Sequence, residues 1–254
     1  MIRTFDLVNS KNETYTLSVA NKHTGFLYDV GGLGTEHSPE YAKIGNIYES
    51  LIDNINQGVI SGTMLFFNPY PYQEFLKFSM FCQDTSLKIH YRTPAGEFWR
   101  DGAVTRIEKS ESSSDTLKVR IDFTASSLWY DNISKTASGT SIEINSESFI
   151  DSPCHLTFSP SSSLTSLSWS QTVDGVTVLT GAISDVSIAN SQTVHIRTDT
   201  NPYELYRDNN HTNYYGKSDF NTKRFVYIQK GVNVITFNNS GTIGIEGKIL
   251  YETV

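Results

Sequence analysis

Cysteine is nearly absent from this chain: of its 254 residues, only Cys82 and Cys154 carry thiols. Disulfide-built domains are cysteine-dense, and zinc sites take their cysteines in close pairs. Two distant thiols fit neither, and are expected as reduced, buried groups of a protein made in a cytoplasm. Positive charge is also scarce. The 20 Lys and Arg are scattered singly against 27 Asp and Glu, for a formal charge of −7. Without a basic stripe, specific nucleic-acid binding is disfavoured. No apolar run approaches the ~20 residues of a membrane-spanning helix. The opening Met-Ile-Arg-Thr-Phe-Asp-Leu-Val lacks the n-region and long apolar stretch of a secretion signal. A soluble protein with no membrane partner is expected, and the Asn-X-Ser/Thr matches at Asn12 and Asn210 then carry no weight.

Catalytic signatures are missing too. The histidines His23, His37, His90, His155, His195 and His211 show no ligand spacing, and no Gly-x-Ser-x-Gly elbow occurs. His90 and His195 fall on the polar phase of alternating strands and are expected to face solvent. Gly31-Gly32-Leu33-Gly34 does not lead from a strand into a helix, so it is no phosphate cradle. Asp29 with Glu36 and Asp199 with Glu204 are carboxylate pairs by proximity in sequence alone, and most acids are simply solvated. No enzyme, no cofactor and no metal are expected.

What is present is β-pattern. The chain is 38% hydrophobic and 12% aromatic, a composition that favours packed strands. Leu117, Val119, Ile121 and Phe123 alternate with Lys118, Arg120 and Asp122, and Leu87, Ile89 and Tyr91 with Lys88, His90 and Arg92. That period of two belongs to half-buried strands. One helix is predicted after Pro69 and Pro71, with Tyr72, Phe75, Leu76 and Met80 on a single face. Between them, Thr35–Gln57 holds scattered apolar residues without a compact pattern, as a functional extension does. The strand ending at Phe123 runs into Leu128-Trp129-Tyr130, and a Ser/Thr-rich linker follows around Ser134–Ser141. Beyond it, short strands with turn signals every ten residues or so mark a sandwich, with Asp174-Gly175 as the strongest hairpin signal. Asn201–Asn221 is polar and Tyr-rich and reads as a surface excursion. The fold class is therefore all-β, with two β-sandwich domains in series, residues 1–132 and 133–254. Trp169 and the tyrosines Tyr203, Tyr206, Tyr214 and Tyr215 are the candidate glycan or partner contacts, because an exposed ring stacks on a pyranose. The competing reading has Trp169 plugging the core and the tyrosines bordering an interface.

The two-domain plan, the Pro-opened helix, the Leu128-Trp129-Tyr130 seam and the ending Ile228-Gln229-Lys230-Gly231-Val232-Asn233-Val234-Ile235-Thr236-Phe237 together resemble the distal tail proteins of siphophages. The ending is similar to that family's Gly-x-Asn-x-Ile segment, and Tyr215–Phe220 to the polar tract before it. Size and composition suit phages of Gram-positive, lactococcal-like hosts. The resemblance implies a tail-tube-like N-terminal domain with one helix and an extended arm, and a galectin-like, jelly-roll C-terminal sandwich. It implies a homohexameric ring at the tail tip of the virion, assembled in the host cytoplasm. Its partners would be the major tail tube protein, the tail-associated hub or lysin protein, the tape measure protein and baseplate or receptor-binding proteins, with DNA passing through the bore. Thr35–Gln57 becomes the candidate inter-subunit arm, with Tyr41, Ile44, Ile47, Tyr48, Leu51 and Ile52 buried only on assembly. Six chains at −7 would carry −42, which would repel DNA from the channel wall if it lines the bore. The galectin sugar motifs, His-x-Asn-x-Arg and Trp-x-x-Glu, are absent. The alternative function is a carbohydrate-binding adhesin module touching the host wall through the second domain. A glycosidase or wall hydrolase lacks any supporting constellation.

Overall fold

A strand that changes partners halfway along organises each half of this protein. The computed structural model describes residues 3–18, 25–34, 36–44, 47–55, 58–67, 70–113, 116–207, 212–218 and 224–254, with backbone alone for 37–44, 47–55 and 111–113. The chain divides into unit 1, Met1–Tyr130 with Glu252–Val254, and unit 2, Asp131–Tyr251.

Unit 1 holds β1 (Thr4–Val8), β2 (Thr14–Thr16), β3 (Phe26–Gly31), β4 (His37–Ile44), β5 (Ile47–Ile55), β6 (Val59–Phe67), α1 (Pro71–Phe81), β7 (Leu87–Thr93), β8 (Gly96–Ser113) and β9 (Thr116–Ala125). The antiparallel order is β2-β1-β7-β8-β9-β6-β3. β8 pairs with β7 as far as Gly102 and with β9 from Gly102 onward. A Cβ at Gly102 would lie 2.3 Å from the Thr124 carbonyl oxygen, so the corner requires glycine. Leu17 then closes the arrangement: its N–H donates to Phe5 O and its carbonyl accepts from Leu27 N, both at 2.8 Å. This ties the β1–β2 edge to β3 and leaves less of it open to stray pairing.

The helix packs through Phe75 and Phe78 against Phe66 of β6, and Phe78 meets Tyr15 edge-on at 5.3 Å. Here the predicted apolar face is corrected. The buried positions are Pro71 and Phe78, while Tyr72, Leu76 and Met80 are 46%, 59% and 62% exposed. Spacing of four along a helix marks a common face, but it does not say what covers that face.

Thr35–Gln57 is more regular than its sequence suggests. β4 and β5 form a hairpin in register from His37↔Ile55 to Ile44↔Ile47, and among the described residues they pair with no other strand. The expected linker around Ser134–Ser141 is also strand: β10 (Trp129–Ser146) carries the chain from unit 1 into unit 2. Ser and Thr accept extended backbone readily where one face is wet, and 134–136 are exposed.

Unit 2 adds β11 (Ser152–Pro160), β12 (Leu167–Val173), β13 (Val176–Ile183), β14 (Val194–Arg197), β15 (Glu204–Arg207), β16 (Thr212–Asn213), β17 (Tyr227–Ile228) and β18 (Gly231–Tyr251). β18 is the shared strand, pairing with β12 over Asn233–Phe237 and with β11 over Gly241–Gly247. Beyond β11 the order runs β14-β15-β16, and β13 flanks β12. The core alternates inward from these strands, and Phe158 of β11 stacks on Phe237 of β18 at 4.3 Å. Each such side chain removed from water contributes about 1.5–3 kcal/mol before entropy is counted. The expected excursion over Asn201–Asn221 is partly core: it contains β15 and β16, and Leu205 and Tyr214 are buried. Residues 208–211 and 219–223 lie outside the described residues.

Candidate interaction surfaces

The seam residues form an anchor within unit 1. Trp129 and Tyr130 are buried; the Trp129 indole N–H donates to Leu33 O at 3.0 Å and the Tyr130 hydroxyl to Asp101 Oδ1 at 2.7 Å. Arg100, equally buried, donates from Nε to Ser127 O at 2.9 Å, and its guanidinium lies 5.5 Å from the Trp129 ring centre. Burial pushes that guanidinium below its ordinary pKa, and burial first, then the Asp101 bond, pushes the Tyr130 phenol up. The Leu-Trp-Tyr motif is thus a lock on the end of the first sheet. It is no contact surface.

The Gly-x-Asn-x-Ile segment also has a structural task. Asn233 is fully buried; its Oδ1 accepts from Gln229 N and Gln171 Nε2, and its amide donates to Gln229 O and Gly231 O. One side chain thereby satisfies the turn that feeds β18. Gly231 has φ +107, and a Cβ there would sit 2.4 Å from an Asp174 carboxylate oxygen. Asp174 in turn accepts from Val232 N at 2.8 Å, tying the Asp174-Gly175 hairpin to the same turn.

The candidate aromatic contacts separate into two groups. Trp169 is only 2% exposed, and its indole N–H donates to Arg224 O at 2.9 Å. Leu167, Trp169 and Gln171 point inward along β12 while Ser168 and Ser170 occupy the other phase, so alternation denies Trp169 a surface role. Tyr214 is buried as well. Tyr203, Tyr206 and Tyr215 keep access. Tyr203 is 42% exposed and exchanges a short hydroxyl–hydroxyl bond with Tyr227. Tyr203 and Tyr215 both pack against Phe225, with ring centres at 5.4 and 5.8 Å, and the Arg224 guanidinium covers Tyr215 at 5.0 Å.

The histidines depart from expectation. His90 is buried, stacked on Trp99 at 3.8 Å and 3.2 Å from Glu97. His195 lies between Tyr206, stacked at 4.6 Å, and His155, whose Nε2 is 2.9 Å from His195 Nδ1. A cross-strand aromatic neighbour shields a ring that alternation alone assigns to solvent. Burial first, then Arg197 and His195, lowers the His155 pKa; burial first, then Arg92, lowers that of His90. Asp199 is held by Arg197 through both carboxylate oxygens, as a fixed ion pair. Among the described residues no group of three or more His, Cys, Asp or Glu is placed to hold a metal, and no helix is long and apolar enough to cross a membrane.

Among the described residues of unit 1, the large exposed hydrophobics are Val59 and, on and beside α1, Tyr70, Tyr72, Leu76 and Met80. The arm candidates Tyr41, Ile44, Ile47, Tyr48, Leu51 and Ile52 lie on β4 and β5, and their side chains are outside the described part of the structure.

The chain is thus an antiparallel β unit with one flanking helix, followed by a second β unit. Residues 4–126 match the family model described as the N-terminal domain of distal tail protein. Residues 4–126 thus carry the N-terminal domain of a distal tail protein. Among solved structures, it is similar to the Dit protein of phage SPP1, described as a paradigm of the hub adsorption apparatus in phages infecting Gram-positive hosts. The TM-score is 0.68 at 11% identity, covering 97% of this chain and 99% of that one. It is also similar to a chain of the phage P2 baseplate in its activated conformation with Ca, at TM-score 0.56, 15% identity and full coverage of both chains. The same baseplate with Sr gives the same values. No match emerged among curated protein sequences.

Proposed function

We propose that six copies of this chain close into a ring at the tail tip, joining the last tail-tube ring to the hub and baseplate or receptor-binding proteins and leaving a central channel for DNA. The carrying observation is the distal tail domain over residues 4–126. In that domain the α1 stripe of Tyr72, Leu76 and Met80 is exposed, and among the described residues the β4–β5 hairpin pairs with no other strand. An isolated two-stranded hairpin is marginal in water, so assembly is its natural source of stability. A ring is a heterologous interface that closes, and it buries such surfaces once per subunit. In this reading unit 1 is the tail-tube-like, ring-forming domain, the hairpin is the arm, and unit 2 is a galectin-like peripheral domain. The major tail protein, the tape measure protein and the tail-associated hub protein are the axial partners. Assembly takes place in the cytoplasm of a Gram-positive host, and the protein has no catalytic role. The test is Leu76→Asp, a charge in the centre of the stripe. Rings of the wild type should give way to monomers of unchanged melting behaviour, and intact variant rings would sink the assignment of the stripe to the interface.

A further inference from the structure

Two depressions of about 620 and 510 Å³ adjoin on unit 2, and both are walled by Pro202, Tyr203 and Tyr215. The rings do not wobble freely there. Tyr203 is tied through its hydroxyl to Tyr227, Phe225 abuts both Tyr203 and Tyr215, and Arg224 covers one side of Tyr215. A ridge held on several sides has little rotamer freedom left to lose on binding, which lowers the cost of using it. The first depression adds Asp199, Asn201 and Thr200. Arg197 fixes the Asp199 carboxylate with two bonds, Nε to Oδ1 at 3.0 Å and Nη2 to Oδ2 at 2.9 Å. Thr200 Oγ1 has no hydrogen-bond partner. The second depression adds Glu204, Tyr206 and Asn213. Asn213 Oδ1 accepts from Tyr215 N at 2.7 Å.

From this geometry we infer that the Tyr203–Tyr215 ridge is a binding site for a neutral oligosaccharide, with one sugar in each depression. Flat rings offer faces to the C–H side of a pyranose, and the fixed carboxylate and amides match hydroxyl donors and acceptors at its edge. Two depressions sharing one aromatic wall suit consecutive residues of a saccharide chain. Charge selects the class: among the described residues Asp199 and Glu204 are balanced by Arg197, 4.0 Å from Glu204, and by Arg224 over Tyr215, so no net field favours an ionic ligand. Anionic, phosphate-bearing wall polymers are therefore disfavoured against neutral ones. The site lies wholly in unit 2 and does not depend on ring formation.

The full-length wild type should bind neutral oligosaccharides on an array that also carries their phosphorylated counterparts. The best neutral hit should then titrate calorimetrically. Tyr203→Ala and Tyr215→Ala should each weaken binding at least about tenfold, the cost of losing a hot-spot ring. Tyr203→Phe keeps the ring and should retain most of the affinity. Melting curves of all three variants, compared with wild type, separate lost binding from lost fold. Three results would overturn the proposal: no binding by the wild type, preference for the phosphorylated glycans, or binding unchanged in both alanine variants.

Discussion

Replacing Trp169 separates a core residue from a contact residue. The indole is 2% exposed, meets Phe237 with ring centres 6.5 Å apart, and donates its N–H to the carbonyl of Arg224 at 2.9 Å. Gly181 is fitted to it: a Cβ there would lie 2.4 Å from the indole. Trp169→Ala removes the ring, at about 3–5 kcal/mol for a core aromatic. It also strands a carbonyl beside a buried residue, at about 1–3 kcal/mol. Set against a domain stability of about 5–15 kcal/mol, the alanine variant should lose a large share of the stability of unit 2. Trp169→Phe is the graded version. It keeps most of the packing and loses the hydrogen bond, about 2 kcal/mol in all, which for a unit of this size lowers the melting temperature by about 6–10 °C. The assay is calorimetry with intrinsic fluorescence alongside. Trp99 and Trp129 lie in unit 1, so the tryptophan fluorescence left in the variants reports unit 1 and calorimetry reads unit 2. A melting temperature within about 1 °C of wild type for either variant would refute the core assignment and return Trp169 to the candidate contacts.

Other outcomes are as definite. His155 and His90 have pKa values lowered by burial, so the unfolded chain binds more protons than the native one once pH falls through about 6.5. Stability should therefore decline between about pH 7 and 5 in urea titrations, and His155→Gln should flatten that decline; a wild-type midpoint independent of pH would contradict it. Burial pushes the thiols of Cys82 and Cys154 up to about 12, and both are shut from solvent. Ellman's reagent should find neither in the native protein and both in concentrated guanidinium; rapid native labelling would contradict this. Gly231→Ala forces a Cβ into the Asp174 carboxylate at positive φ, and should cost about 1–3 kcal/mol by urea denaturation.

Where local pattern and environment agree, the sequence reading reaches the fold. Alternation located β7 and β9, and Asp174-Gly175 located the β12–β13 hairpin. The helix was placed from its prolines, but its buried side was not, because Tyr72, Leu76 and Met80 satisfy helical periodicity whether their cover is this chain or another. The polarity of Ser134–Ser141 hid a strand, since a stretch wetted by solvent needs no apolar phase. Tyr203, Tyr206 and Tyr215 of the ridge were legible as a cluster of rings. Phe225 and Tyr227 were not, because the turn before β17 brings them beside Tyr203 from a distant stretch of sequence. The Arg197–Asp199 clamp joins residues two apart on one strand end, a spacing that is visible in sequence but has no meaning until the ridge stands next to it.

The central claim is that this protein works as a ring. Its solution mass, measured by light scattering over a range of concentrations with negative-stain imaging of the same sample, tests that most directly. The account predicts six times 28.5 kDa, about 171 kDa, and particles with an open bore. A monomer at every concentration, both alone and mixed with its tail-tube protein, would contradict it.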